Sequence, residues 1–352
     1  MKGVTFTGDR TLEIRDFPDP TPGPGEAVLE IKASGMCGSD LHQYRAPKQP
    51  DGGAVTGGVR RVSGVIAGHE PCGVVVAVGA GVTEKQARIG QRMMDHHYDG
   101  CGGCKHCRGG WTQMCLEGAT VYGSGGHGAH ANYMKVPAHT LVPLPDALSF
   151  ETGAAISCGT GTAWGALKRL HLEGGETIAI FGQGPVGLSA TQLAVAMGAR
   201  VIALDVSEER RELAKQFGAH ITVDALANDP VEAIRELTHG EGAHKTLDCS
   251  SAPVARRAAV QAVRSWGTAC FVGERGMVEF DVSNDILRRQ VTIVGSWTFS
   301  KQGQAECAEF VADHDVAVDK LFTHRWRLDQ AEEAYKLFDS QTTGKAVILP
   351  NG

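Results

Sequence analysis

Residues 177–199 carry no charged side chain, and Gly182, Gln183, Gly184 and Pro185 interrupt the run. That stretch limits the chain to few folds. It is long enough to span a bilayer, but the interruption favours a short apolar strand, 177–181, followed by a helical segment, 186–197. The join reads Gly182-Gln183-Gly184-Pro185-Val186-Gly187, which is the pattern G-x-G-x-x-G. Gly182 permits a tight turn, Gly184 lets backbone approach a pyrophosphate, and Gly187 lets the helix pack close to the strand. The helix start at Pro185 and Val186 offers partial positive charge to phosphates, and the residues after Pro185 offer free N–H groups.

The flanks extend the same pattern. Further strands are expected at 200–204, 221–223, 245–249, 269–272 and 291–294, with helices at 208–217, 231–237 and 254–263. Such alternation implies right-handed crossovers and a doubly wound parallel sheet. Asp205 closes the second strand. A carboxylate there accepts hydrogen bonds from ribose hydroxyls and repels a 2′-phosphate, which favours NAD over NADP. Arg210 lies close enough in sequence to soften that preference. Alternatively, Asp205 caps the helix that begins near Ser207 and Glu208.

The region before residue 150 is rich in Gly, Val, Pro and turn signals, with short strands expected at 27–31 and 73–78. Within 95–118, Cys101, Cys104, Cys107 and Cys115 follow C-x2-C-x2-C-x7-C. Four thiolates so close complete a tetrahedral shell around zinc with no open position, which makes a structural site. An iron–sulfur cluster also suits four thiolates, and disulfides or free thiols are the remaining alternatives. The chain has ten cysteines and no basic start followed by an apolar run. That combination leads us to expect metal binding in a reducing compartment, the cytoplasm. A formal charge of −6, from 34 basic and 40 acidic residues, argues against nucleic acid as the main partner.

Three more positions complete the picture. Cys37 lies in Gly35-Met36-Cys37-Gly38-Ser39-Asp40-Leu41-His42, His69 in Gly68-His69-Glu70-Pro71, and Cys158 in Ser157-Cys158-Gly159-Thr160-Gly161-Thr162. Each alone means little. Together with the thiolate loop and the glycine-rich turn, in this order, they resemble the zinc-dependent medium-chain alcohol and polyol dehydrogenase family over essentially the whole chain. The resemblance implies a Rossmann doubly wound sheet inserted into a β-rich, GroES-like catalytic domain. The catalytic domain is expected at 1–156 plus 298–352 and the NAD-binding domain at 157–297. Two zinc ions per subunit follow: a catalytic one on Cys37, His69 and Cys158, and a structural one on the thiolate loop. Glu70 falls where relatives have a carboxylate near the metal, sometimes a ligand. Many polyol-dehydrogenase relatives have Glu at the position of Cys158, so this chain leans toward the alcohol-dehydrogenase type of site. Asp40 matches the carboxylate that orients the zinc-bound imidazole. Ser39 and His42 match the groups that take the proton away from the substrate, and Thr162 falls near the nicotinamide. His97 and Trp297 match positions that line the substrate pocket.

An open zinc position acidifies an alcohol and polarises a carbonyl. The expected activity is therefore hydride transfer between an alcohol and NAD. A His at position 97 is more polar than the aromatic side chain often found there, which points to a secondary alcohol or polyol. A primary alcohol or aldehyde enzyme of the same fold is the alternative, and a non-enzymatic zinc- and nucleotide-binding module the third. Loop 44–64 has the length of a lid. Its Arg45, Arg60 and Arg61 either meet an anionic substrate or form a solvated face with Lys48. No membrane or nucleic-acid partner is expected, and the resemblance implies a homo-oligomer, a tetramer before a dimer.

Overall fold

A computed structural model describes residues 1–48, 55–56, 59–60, 62–340 and 344–352. The chain forms two compact units. The first comprises Met1–Cys158, Ser300–Asp313 and Phe322–Gly352, the second Gly159–Phe299 and His314–Leu321. The sequence assigns 298–352 wholly to the first domain and 157–158 to the second, and both assignments are corrected here. Residues 314–321 join the second unit because Val318 and Leu321 bury there and Gln192 donates to the Ala317 carbonyl at 3.4 Å. Cys158 ends in the first unit.

The first unit is built on a seven-stranded sheet. Strands Leu141–Pro143, Arg92–Asp95, Glu70–Val78, Glu26–Gly35, Lys345–Leu349 and Phe322–Arg327 lie in that order, and Tyr133–Pro137 also pairs with Glu26–Gly35. Alternate residues of the central strand, Ala27, Leu29 and Ile31, face a core with Val75, Met93, Met134 and Val136. Removing each such aliphatic chain from water contributes roughly 1.5–3 kcal/mol. A second core joins Met36, Leu41 and Tyr44 to Tyr335 and Phe338 of the helix Ala331–Asp339. The tail therefore closes the sheet. Strand Lys345–Leu349 pairs antiparallel with Glu26–Gly35 through Val347↔Gly35 and Ile348↔Ser34, and the Ala346 carbonyl accepts the Met36 N–H at 2.9 Å. The residue after Met36 is Cys37, so this seam sets where its sulfur stands.

The second unit is a six-stranded parallel sheet. Its order is Ile221–Asp224, Arg200–Asp205, Thr177–Phe181, Ala243–Asp248, Val263–Phe271 and Thr292–Gly295. The direction of winding reverses between Thr177–Phe181 and Ala243–Asp248, the topological switch point of a doubly wound sheet. The uncharged run 177–199 divides into the strand Thr177–Phe181 and the helix Pro185–Ala196. No helix among the described residues is long and apolar enough to cross a membrane.

In the second unit one helix was not expected and one strand is longer than expected. Helix Gly159–Arg169 is rich in Gly and Thr, both poor helix formers; burial of Ala163, Trp164, Ala166 and Leu167 overrides that propensity. Strand Val263–Phe271 begins directly after helix Pro253–Ala262, although the apolar run starts only at Ala269. Its first half carries exposed Trp266 at φ 63° and a register shift against Ala243–Asp248.

A Cβ at Gly187 would collide with the Gly182 carbonyl oxygen, so helix Pro185–Ala196 sits as close to its strand as glycine allows. Gly187→Ala is expected to lower stability by about 1–3 kcal/mol, as overpacking does, and a denaturant midpoint measures it.

Candidate active site

Cys37 occupies the N-cap of the short helix Gly38–Tyr44, and its N–H donates to Asp40 Oδ2 at 2.9 Å. The other oxygen of Asp40 accepts the Nδ1–H of His69 at 2.9 Å. The bond fixes the His69 tautomer and leaves Nε2 as the nitrogen free for a metal. His69 precedes strand Glu70–Val78, and Cys158 follows helix Phe150–Ile156. Ser157 ties these two stretches together: its hydroxyl donates to the Pro71 carbonyl at 2.8 Å and accepts from Gln304 Nε2 at 3.3 Å.

The ligand atoms of Cys37, His69, Glu70 and Cys158 all lie within 4.8 Å of one another. The Cys37 and Cys158 sulfurs stand 3.9 Å apart. Two sulfurs bound to one tetrahedral zinc at about 2.3 Å would be about 3.8 Å apart. The donor set and this spacing both fit zinc. A hydrogen bond from Cys158, followed by His69, holds the Cys37 thiol well below its ordinary range, and the same shared proton and burial hold Cys158 well above. Burial opposes protonation of His69, but Asp40 outweighs it and raises the imidazole.

Glu70 is fully buried beside Lys345, whose Nζ lies 2.7 Å from Oε1 and 2.5 Å from Oε2. Lys345 Nζ also donates to the Met36 carbonyl at 3.2 Å. Burial works against both charges: it pushes Glu70 up to about 8 even though Lys345 opposes the shift, while Glu70 and then Cys37 hold Lys345 above its ordinary value. Gly35 makes room, because any Cβ there would strike Glu70 Oε2. No motif announces Lys345; a lysine opening an otherwise apolar strand is the signal that could have found it.

The other expected residues take definite places. Ser39 is exposed, with Oγ 4.0 Å from the Cys37 sulfur, and His42 follows one helical turn later, half-buried. The His97 ring lies 5.0 Å from that of His69, and its Nδ1–H donates to the Ser157 carbonyl at 3.1 Å. Burial keeps His97 well below its ordinary pKa and therefore neutral. Arg45 is tied to Asp339, both to the carboxylate and to the carbonyl at 2.9 Å, so its charge already has an anionic partner within the chain. The Lys48 backbone N–H reaches Asp9 Oδ2 at 3.4 Å. The lid reading rests mostly on residues outside the described ones, as do Arg61 and the Arg60 side chain.

The thiolate loop closes locally. Cys101, Cys104, Cys107 and Cys115 bring their sulfurs within 4.8 Å of one another, and all four are free of disulfides. Cys101 N–H donates to Cys115 Sγ at 3.3 Å and Cys104 N–H to Cys101 Sγ at 3.3 Å. The N–H groups of Cys107 and Leu116 draw the Cys104 thiol down to about 6, while burial pushes Cys107 up to about 12.

In the second unit, Gly182 takes φ 87°, and a Cβ at Gly184 would meet nothing within 4 Å. The turn is open on the side where a phosphate would lie. Pro185 and Val186 begin the helix behind it. Asp205 is buried at the end of its strand; Oδ2 accepts the Gln183 N–H at 2.6 Å and Oδ1 the Ser207 N–H at 2.8 Å. The helix cap is Ser207, which accepts the Arg210 N–H at 3.3 Å, so the capping alternative for Asp205 is set aside. Arg211, unremarked in the sequence, donates to the Asp205 carbonyl at 3.0 Å and pairs with Asp224 at 3.0 Å. Thr162 is buried on helix Gly159–Arg169. Trp297 is partly exposed and donates its indole N–H to Glu274 at 2.6 Å.

A parallel nucleotide-type sheet in one unit, with a Cys₂His cluster beside a carboxylate in the other, defines a metal-dependent oxidoreductase. Comparison with known proteins agrees. Residues 23–146 match the alcohol dehydrogenase GroES-like domain family, and 185–313 the zinc-binding dehydrogenase family. The zinc-type alcohol dehydrogenase-like protein YphC of Escherichia coli is 40% identical over 99% of this chain and 98% of its own. Among solved structures, 2R,3R-butanediol dehydrogenase of Bacillus subtilis is 28% identical, covers 99% of both chains and superposes with a TM-score of 0.87. A zinc-binding dehydrogenase of Sinorhizobium meliloti bound to NADP is 26% identical, covers 99% of both chains and gives 0.86. The chain belongs to the zinc-dependent medium-chain alcohol dehydrogenase family. It is an oxidoreductase of alcohols.

Asp40 orients His69 and tethers the Cys37 backbone, so its loss should loosen the cluster from two sides. Asp40→Ala is expected to weaken zinc binding about 10–100-fold, read by competition with a chelator.

Proposed function

We propose that the chain oxidises secondary alcohols or polyols with NAD, using zinc held by Cys37, His69 and Cys158. The 3.9 Å approach of the Cys37 and Cys158 sulfurs beside an imidazole already aligned by Asp40 carries this reading. Zinc with an open position supplies a Lewis acid that makes an alcohol acidic and, in reverse, polarises a carbonyl. Bound nicotinamide supplies the hydride acceptor.

The chain's own groups do the rest. Asp40 holds the His69 ring in one tautomer. Ser39, next to the Cys37 sulfur, accepts the proton of the substrate hydroxyl, and His42 passes it toward solvent. Lys345 neutralises Glu70, so that the buried carboxylate does not oppose negative charge developing on a substrate oxygen. Neutral His97 offers a polar wall suited to a second hydroxyl, which favours a diol or longer polyol. The name of the butanediol dehydrogenase relative is in keeping with that class.

Gly182, Gly184 and Gly187, with Pro185 and Val186 at the helix start, cradle the pyrophosphate, and Thr162 stands by the nicotinamide. Asp205 retains lone pairs for ribose hydroxyls after its two backbone bonds, and its charge disfavours a 2′-phosphate. Arg211 pairs with Asp224, and Arg210, at the start of the same helix, is the cation that softens the preference. The four loop cysteines hold a second, structural zinc. Trp297 lines the substrate site. The assembly is a homo-oligomer, most simply a tetramer, working in the cytoplasm.

A panel of simple primary alcohols, secondary alcohols and polyols, run in parallel with NAD and NADP, is expected to show NADH formation strongest with secondary alcohols or polyols. Activity confined to primary alcohols would reject the substrate class. Cys37→Ala should reduce turnover to the level of the zinc-stripped protein while NADH binding, followed by fluorescence, stays near that of the unaltered chain. Cys104→Ser should remove the loop zinc and lower the melting temperature; unchanged zinc content and melting would refute a structural metal there.

A further inference from the structure

Arg256 is a cation that no family motif announces. It lies on helix Pro253–Ala262 and is buried, with 6% of its surface exposed. Its guanidinium makes four hydrogen bonds. Nε donates to Asp248 Oδ2 at 3.1 Å, Nη1 to the carbonyls of Arg275 and Gly276, the latter at 3.1 Å, and Nη2 to the Gly273 carbonyl. Three carbonyls of one four-residue loop thus converge on a single side chain. Arg275 and Gly276 both take positive φ, 68° and 80°, a shape that the loop keeps because the planar fork holds its carbonyls inward.

The place of this loop gives the arrangement its meaning. It follows strand Val263–Phe271, and Asp248 is the last residue of strand Ala243–Asp248. These two strands belong, with Thr292–Gly295, to the half of the sheet beyond the switch point from the glycine-rich turn. In open parallel sheets a dinucleotide lies outside the carboxyl ends of the strands, one half on each side of that switch point. The loops after Phe181, Asp248 and Phe271 are packed in a row. A Cβ on Gly182 would come within 2.9 Å of Ser250, and one on Gly273 would strike Ser251 Oγ. Asp248 holds the middle loop through Ser250, by its N–H at 2.9 Å and its hydroxyl at 2.6 Å. The Arg256–Asp248 pair therefore sets the last two loops together. The outer one also carries Glu274, which accepts the Trp297 indole N–H.

We propose that Arg256 is a positioning residue for the nicotinamide half of the dinucleotide, acting through the loop Gly273–Gly276 and not by touching the cofactor. The proposal rests on the dinucleotide reading given above. The adenosine half, beside Gly182 and Asp205, does not depend on Arg256. The two halves are thus separable by probe: AMP reports the first alone, NADH both.

Arg256→Lys keeps the charge opposite Asp248 but loses the fork. Carbonyls left without their charged donors should release the loop, and the NADH dissociation constant should rise about tenfold or more, while that of AMP stays unchanged. KM for NAD should rise with kcat at saturating NAD largely kept. NADH and AMP weakened equally, alongside a lower melting temperature, would reduce Arg256 to a general structural role and overturn the proposal. Unchanged NADH binding would overturn it as well. Gly273→Ala displaces the same loop from its other face with the guanidinium intact, so it tests the idea even if Arg256→Lys does not fold. It should show the same NADH-selective loss, and equal NADH affinity would refute the proposal. An unaltered chain that binds neither NADH nor AMP would instead refute the dinucleotide reading.

Discussion

The first unit is organised around the cost of burying charge. Cys37, His69, Glu70 and Cys158 lose their water together, and each uncompensated ion in such a place costs several kcal/mol. Compensation comes from two side chains on separate elements, Asp40 beneath His69 and Lys345 against Glu70. The seam between Lys345–Leu349 and Glu26–Gly35 is therefore more than sheet pairing. It delivers a cation to the one carboxylate that would otherwise repel a thiolate. Zinc suits the cluster that results, since a divalent cation satisfies the remaining negative charge of two sulfurs.

The second unit shows a related economy with hydrogen bonds. Asp205 joins the turn after one strand to the turn after the next through two backbone N–H groups. Arg211 then fastens that strand end to Asp224. A nucleotide arriving there meets acceptors whose positions are already fixed, so little ordering remains to be done on binding.

Legibility in the sequence follows the range of the interactions. The strand Thr177–Phe181, its glycine turn and the following helix are local, and their residues and spacing announce them. So is the thiolate loop, whose four cysteines lie within one short segment. The Cys37, His69 and Cys158 cluster is different. Nothing in the spacing of three distant residues reveals that their side chains meet, and only the resemblance to a known family joined them. Lys345, Arg211 and Arg256 were missed altogether, because a basic residue looks like a solvated charge until its partner is seen. Helix Gly159–Arg169 was missed for another reason: tertiary burial of Trp164 and its neighbours overrides weak local propensity.

The two cysteine-containing sites also differ in when they can exist. The four sulfurs of the loop Cys101–Cys115 come from one short segment, although the loop itself also accepts the Lys301 N–H at the Gly110 carbonyl, at 2.8 Å. The other cluster has to wait. Its Cys37 backbone hangs from Ala346 through Met36, and its carboxylate has no counterion until Lys345 has been made and seated. The loop thus draws its four sulfurs from one segment, whereas the Cys37 cluster is complete only when residues 345 and 346 are seated against it.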